Sequence, residues 1–136
     1  MALPNGAGGY QLGDGNLNEA VIGYAPAPAT ATVTATLTPA QVLSGILLGS
    51  PGTSAAAYTL PTVSDLEATL SSAKVGSTFD LSVINVDGSS SGVITMTAGT
   101  GWTIVGLATV VATAGTAQLF RARKTGATTW TLYRIA

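Results

Sequence analysis

Residues 79 to 136 read FDLSVINVDGSSSGVITMTAGTGWTIVGLATVVATAGTAQLFRARKTGATTWTLYRIA, and most of the predicted strands lie in this part of the chain. It is rich in Val, Ile, Thr and aromatic residues, which suit the pleated, half-buried surface of a sheet. Glycines interrupt it at short intervals, as in strands joined by turns. The pattern predicts a mainly β protein, either an antiparallel β-sandwich of jelly-roll type or a β-barrel. Residues 87–92 are predicted to be the loop of a β-hairpin.

A strand and a short helix are predicted at the start of this domain. Residues 30–37 alternate Thr with apolar residues, which is typical of a half-buried strand. Thr38 and Gln41 form a capping box, and Pro39 suits the first helical position. The apolar spacing that follows predicts a helix that continues through Leu47.

A second strand and a second short helix are predicted over residues 55–75. Residues 55–60 form an apolar run that ends at a proline, which favours a strand. Ser64 and Glu67 form a second capping box. Asp65 and Glu67 are therefore interpreted as acidic residues that stabilise the N-terminus of this helix.

Residues 1–29 differ from the β domain, which we place at residues 30–136. Glycine is dense near the start, and residues 25–29 alternate Ala with Pro, which favours an extended spacer. The pattern predicts an extended N-terminal arm that becomes ordered on a partner; a terminus without a role is the alternative. Its apolar residues recur singly and would act as anchors: Leu3, Tyr10, Leu12, Leu17, Val21, Ile22 and Tyr24.

The composition limits the reactions and the ligands that the chain could support. The chain has neither His nor Cys, and 8% of its residues are charged, so the usual general bases and metal ligands are missing. Asp80 and Asp87 are candidates for a pair of catalytic carboxylates, but Asp87 is also explained by its position in a turn, where Asp is favoured. Residues 14–19 contain oxygen ligands without the spacing of a calcium loop. We expect no enzymatic activity, no cofactor and no bound metal.

The charge pattern favours a partner of another kind. A net charge of −1 gives no field for nucleic acid, and no apolar run reaches the about 18 residues of a membrane span. The start of the chain lacks the features of a signal peptide, so we expect no export by that route. Low charge suits a subunit that is covered by copies of itself or by a larger assembly.

Two groups of side chains are candidate contact sites. The basic residues Arg121, Arg123, Lys124 and Arg134 could form a docking patch, or they could be a solvated strand face. The large aromatic residues favour a core, with a sugar-stacking platform as the alternative. That platform would consist of Tyr58, Trp102, Trp130 and Tyr133.

Residues 36–135 carry a resemblance to a known family. They contain, in order, LTPAQVLSGILLGSP, AAYTLPTVSDL, VGSTFDLSVIN, TMTAGTGWTIVG and FRARKTGATTWTLYR. This order resembles the small proteins that decorate the capsids of tailed bacteriophages as cement or head-decoration proteins. The resemblance implies a homotrimer on the outer capsid surface, which binds the major capsid protein and stabilises the shell. A glycan-binding or receptor-binding module of a head or tail fibre remains the alternative.

Overall fold

The computed structural model describes residues 22–136, in which two sheets enclose one core. Two short helices lie between strands. In chain order the elements are β1 (Ala29–Ala31), β2 (Ala35–Thr36), α1 (Pro39–Val42), β3 (Ile46–Gly49), β4 (Ala56–Thr59), α2 (Val63–Thr69), β5 (Thr78–Asn85), β6 (Ile94–Thr97), β7 (Trp102–Val105), β8 (Thr109–Val110), β9 (Thr116–Gly126) and β10 (Thr129–Arg134).

Successive strands alternate between the two sheets. The six-stranded sheet has the order β1-β3-β5-β9-β10-β7, and the four-stranded sheet has the order β2-β4-β6-β8. The chain therefore crosses from one sheet to the other after each strand from β1 to β8. Only β9 and β10 follow each other within one sheet, as an antiparallel hairpin. The successive pairs β1–β2, β3–β4 and β5–β6 each place one strand in the six-stranded sheet and one in the four-stranded sheet.

This winding makes much of the pairing parallel. Four pairs of strands that are separated by a crossing to the other sheet and back run parallel, namely β1–β3, β3–β5, β2–β4 and β4–β6, whereas β6–β8 runs antiparallel. Five of the eight pairings in residues 22–136 are parallel, and three are antiparallel. The predicted mainly β class, with two sheets and two short helices, is confirmed. Of the two predicted architectures, the two sheets agree with the sandwich rather than the barrel. The pairing is mixed rather than antiparallel throughout, because alternation identifies strands without identifying their neighbours.

The core lies between the inner faces of the two sheets. Leu81, Val83 and Phe120 from the six-stranded sheet meet Tyr58 and Ile94 from the four-stranded sheet, and all five are fully buried. Burial of each such side chain contributes about 1.5–3 kcal/mol. The strands of residues 79–136 thus form most of this interior, as their composition predicted.

Gly49 packs against two side chains of the facing sheet. A Cβ atom there would lie 3.1 Å from Cε2 of Tyr58 and would overlap Cδ1 of Ile94. A side chain at this position would therefore require those two side chains to shift.

The first helix is correctly capped but shorter than predicted. Thr38 accepts a hydrogen bond from the backbone N–H of Gln41, whose side chain in turn accepts one from Thr38 N–H. The helix ends at Val42, and Gly45, with φ of 84°, turns the chain into β3. The apolar residues that were predicted to extend the helix instead form that strand.

The second helix begins two residues earlier than predicted. Thr62, rather than Ser64, is the N-cap, and its hydroxyl accepts a hydrogen bond from Asp65 N–H. Glu67 therefore takes no part in a capping box. Its carboxylate is directed toward β9 and β10 instead.

The predicted strand over residues 30–37 is two strands in different sheets. The chain bends at Val33, which is 74% exposed, whereas Leu37 is buried. Tyr58 holds this corner, because its hydroxyl lies 3.1 Å from the carbonyl oxygen of Ala31 and 2.9 Å from that of Thr32. The ring of Tyr58 is fully buried, so these are internal contacts between the sheets.

Asn85 holds a second corner, where the hairpin loop was predicted. Its side-chain amide donates to the carbonyl oxygens of Gly92 and Val111 at 2.8 and 3.0 Å, and its Oδ1 accepts from Gly88 N–H at 2.7 Å. β5 and β6 lie in different sheets, so residues 87–92 form a crossing rather than a hairpin. Asn85 is fully buried, and its three hydrogen bonds satisfy backbone groups that lack a strand partner.

We expect Tyr58→Phe to lower the free energy of unfolding by about 1–2 kcal/mol, because it removes the hydroxyl that is the only side-chain donor within residues 22–136 at the carbonyls of Ala31 and Thr32. Burial also raises the pKa of Tyr58 above its ordinary value of 10.0. Because the pKa of Tyr58 is higher in the folded than in the unfolded state, the stabilisation by its hydroxyl is complete below pH 10. It is lost as the pH rises through the pKa of the folded state. Urea denaturation at neutral and alkaline pH measures both effects.

Tyr133→Phe is the matched control, because Tyr133 is only partly buried and its hydroxyl makes no side-chain hydrogen bond in residues 22–136. We expect it to change stability by no more than about 0.5 kcal/mol. Equal effects of the two substitutions would show that the Tyr58 hydroxyl does not support the corner.

Candidate functional site

The structure divides the predicted basic patch between two faces of the six-stranded sheet. Arg121 and Arg123 are exposed on the outer face, as their alternation along β9 predicted. Lys124 lies on the inner face and is only 7% exposed. Arg134 is exposed but pairs in register with Phe120, so it does not share the outer face of Arg121 and Arg123. The prediction that the four residues form one patch was wrong in this respect.

Arg121 forms an ion pair with Asp80 on the neighbouring strand. Its Nε donates to Oδ1 of Asp80 at 2.8 Å, and one terminal nitrogen donates to Oδ2 at 3.2 Å. The hydrogen bond from Arg121 lowers the pKa of Asp80 below its ordinary value of 3.8. Both side chains are about half exposed, so the pair contributes little to stability.

The outer face around this ion pair is largely apolar on one side. Ile46, Ser82 and Leu119 form a row across the neighbouring strands β3, β5 and β9, and Ile135 lies beside Leu119 at the end of the chain. Ile46 and Ile135 are each exposed by two-fifths or more. Val105, next to Tyr133 in the register, extends the exposed apolar surface to the edge strand β7. We call this the outer face below, with Asp80, Arg121 and Arg123 as its charged part.

Lys124 takes part in an internal cluster that the sequence did not predict. Its ammonium group donates to Oε1 of Glu67 and, at 3.3 Å, to the carbonyl oxygen of Ala127. Oε1 of Glu67 also accepts from Nε1 of Trp130 at 3.1 Å. The cluster therefore joins α2 to both strands of the β9–β10 hairpin.

A signal for this cluster exists in the sequence. Lys124 has the same parity along β9 as Phe120 and Ala122, both of which are fully buried. Strict alternation would have placed its side chain inside the sandwich, where a charge requires a partner. The assignment of Glu67 to a capping box concealed that partner.

Three of the four aromatic residues of the predicted platform, Tyr58, Trp102 and Trp130, are part of the core. Trp130 lies between Phe79 and Trp102, with ring centroids 5.6 and 5.9 Å away. Nε1 of Trp102 donates to the carbonyl oxygen of Pro61 at 2.7 Å. Because Trp102, Trp130 and Tyr58 are buried, the predicted sugar-stacking platform does not exist on this surface.

A cavity of about 450 Å³ lies beside the Glu67 cluster. Its walls come from the start of α2, the segment that leads into β7, and the β9–β10 turn. Gly101, with φ of 90°, lines it, and a Cβ atom there would lie 2.7 Å from Cγ2 of Val63. Other lining residues are Ser64, Glu67, Thr100 and Thr128.

The acidic residues outside this cluster have structural partners or open surroundings. Asp87 accepts a hydrogen bond from Gly52 N–H at 3.1 Å, and Asp80 is paired with Arg121. Within residues 22–136, no three acidic side chains come together in a way that could hold a metal ion. The calcium-like fragment at residues 14–19 lies outside the described residues. The expectation of no enzymatic activity stays a prediction.

Two of the predicted arm anchors can be placed. Ile22 is 85% exposed and Tyr24 is fully exposed, in a segment without helix or strand that runs to Pro28. The anchors Leu3, Tyr10, Leu12, Leu17 and Val21 lie outside the described residues. In the described part of the chain, no helix has the length and apolar character needed to span a bilayer.

Comparison of the chain with protein families, curated proteins and solved structures finds no match. The function is therefore argued from the surfaces and the cavity described above.

We expect Arg121→Gln to raise the pKa of Asp80 toward 3.8, because the substitution removes the charged donor that lowers it. The pair's contribution to stability is present above the unfolded pKa and is lost as the pH falls through the lowered folded value. Titration of the Asp80 carboxyl carbon by NMR measures the shift. An unchanged pKa in the variant would show that the ion pair does not form in solution.

We expect Lys124→Met to lower the free energy of unfolding by about 2–4 kcal/mol, because it leaves the partly buried carboxylate of Glu67 without its cation. The double substitution Glu67→Gln with Lys124→Met should recover most of this loss. The amide of Gln is neutral and keeps an acceptor for Trp130. Chemical denaturation of the single and double variants tests the cluster.

Arg123→Met is the control, because it makes the same class of change at an exposed neighbour on the opposite face. Its effect should stay within about 0.5 kcal/mol. A loss for Lys124→Met no larger than this would contradict the internal cluster.

Proposed function

We infer that the protein is a structural component of a virion that decorates and stabilises the capsid of a tailed bacteriophage. In this proposal it is a homotrimer on the outer capsid surface and bridges subunits of the major capsid protein. The observation that carries the proposal is the exposed segment of residues 22–28, which leads apolar side chains away from a two-sheet domain. The resemblance of residues 36–135 to capsid decoration proteins agrees with it.

The leading segment has the properties of an arm that binds along another surface. Every residue from Ile22 to Pro28 is exposed. Pro26 and Pro28 favour an extended chain, and neither has a backbone N–H that could donate a hydrogen bond. Burial of a side chain such as Ile22 on a partner would contribute about 1.5–3 kcal/mol. Two exposed large side chains in an extended segment are thus suited to fill pockets on a shell.

The outer face supplies a second surface for assembly. It combines exposed apolar side chains with the Asp80–Arg121 pair and with Arg123, which makes no salt bridge in residues 22–136. A surface of this kind suits contact with a sister copy or with the capsid. Arm and face together would give several weak contacts per copy, and multivalency converts these into slow dissociation.

We expect Ile22→Ser with Tyr24→Ser to weaken binding to empty capsids of its own phage about tenfold or more, because two anchors lose their apolar burial. The trimer should persist, since Ile22 is 85% exposed and Tyr24 is fully exposed, so neither side chain packs into the domain that would form the trimer contacts. Co-sedimentation with capsids and native mass spectrometry measure the two properties.

Val33→Ser is the matched control, because Val33 is an exposed apolar residue outside the arm. It should leave capsid binding unchanged. The proposal fails if the wild-type protein ignores the capsids, or if the double variant binds them as tightly as the wild type. A monomeric wild-type protein would remove the homotrimer.

A further inference from the structure

The cavity beside Glu67 has the size of a ligand site. Its volume of about 450 Å³ lies within the range of about 300–1,000 Å³ that is common for small-molecule pockets. It opens to solvent at Ser64, Thr100 and Thr128, all of which are exposed. The partly buried side chain of Glu67 is among its lining residues. Neither the three arginines of the predicted patch nor the described arm residues line it.

Hydrogen bonds join the three walls of this cavity. Val63 N–H donates to the carbonyl oxygen of Thr100 at 3.0 Å, which joins α2 to the segment before β7. Trp130 N–H donates to the carbonyl oxygen of Gly101 at 3.0 Å, which joins that segment to β10. The Glu67–Lys124 contact then joins β9 to α2. The cavity is thus formed before a ligand arrives, which lowers the cost of binding.

Part of the polar lining is available to a ligand, whereas the hydroxyls of Thr62 and Thr129 are already hydrogen-bonded to Asp65 N–H and to Thr125. Within residues 22–136, the hydroxyls of Ser64, Thr100 and Thr128 make no side-chain hydrogen bond. Glu67 uses Oε1 for both Lys124 and Trp130, and its Oε2 accepts no hydrogen bond from the described residues. The site therefore offers hydroxyls, which donate and accept, around one carboxylate oxygen, which accepts.

The charge of the site indicates a neutral ligand. Lys124 compensates the carboxylate of Glu67, so an ammonium ligand would gain little and an anion would meet the remaining carboxylate oxygen. Val63, Gly101 and the methyl groups of the threonines give the rest of the lining an apolar character. A ligand that suits both parts carries several hydroxyls on a ring with apolar C–H faces.

We propose that this cavity binds one ring of a neutral carbohydrate. The carboxylate oxygen Oε2 of Glu67 accepts a hydrogen bond from a ring hydroxyl, and Ser64, Thr100 and Thr128 exchange hydrogen bonds with others. The C–H face of the sugar packs on the apolar part of the lining, which Gly101 and the threonine methyl groups supply. This site differs from an aromatic platform, since Trp102 and Trp130 lie beneath its walls and are buried. The proposal does not depend on the capsid role.

Both tryptophans of the chain report on this site. Trp130 donates to Glu67, and Trp102 holds the carbonyl of Pro61 just before α2. We expect glucose, galactose, rhamnose or N-acetylglucosamine to change their fluorescence saturably. Because the polar contacts are few, we expect a dissociation constant of about 1–10 mM. Titration of each sugar to about 100 mM is therefore sufficient to reach saturation. Amide NMR shifts should concentrate at residues 62–67, 100–102 and 127–130.

Two variants test the location of binding. Ser64→Phe places a ring at the exposed mouth of the cavity and should abolish saturable binding. Ser72→Phe makes the same change at an exposed serine outside the lining and should preserve it. Thr100→Val keeps the shape but removes one hydroxyl, and it should weaken binding about three- to tenfold. Circular dichroism establishes that each variant is folded.

Three results would overturn the proposal. The first is the absence of a saturable response to all four sugars. The second is equal binding by the wild type and by folded Ser64→Phe. The third is a saturable response at these residues to lysine or acetate without a response to the sugars, which would assign the cavity to a charged ligand. Capsid co-sedimentation of Ser64→Phe separates this failure from failure of the capsid role.

Discussion

A chain that crosses between two sheets after almost every strand must satisfy the backbone hydrogen-bonding groups at the buried corners between them. Backbone groups at a corner have left one sheet before they enter the other, so they lack a strand partner. Buried side chains supply the missing hydrogen bonds. Tyr58 does so between β1 and β2, Asn85 between β5 and β6, and Trp102 at Pro61.

This arrangement places Tyr58, Trp102, Phe120 and Trp130 inside the domain. Tyr58 and Trp102 fill space in the core and also bind backbone at a corner, so the same side chains support packing and the crossing between sheets. The surface that remains is poor in charge, with eleven charged side chains in 136 residues. Such a surface, joined to an exposed leading segment, is the physical basis for proposing a role in an assembly.

Two regions of the domain are suited to different partners. The outer face of the six-stranded sheet is broad, exposed and partly apolar, as a protein contact requires. The cavity at Glu67 is small, concave and lined by hydroxyls, as a small neutral ligand requires. The basic residues of β9 are divided between these two regions. The charge of Lys124 is directed inward to Glu67, whereas Arg121 and Arg123 lie on the outer face.

The sequence alone determined the strand-rich class, the capping of α1 by Thr38, and the outward direction of Arg121 and Arg123. These features follow from local spacing, which residues within one turn or one strand establish between themselves. Tertiary structure decided the parallel pairing, the division of residues 30–37 between two sheets, and the meeting of Glu67 with Lys124. Those contacts join residues far apart in the chain, and a period of two specifies a face without specifying the neighbour across it.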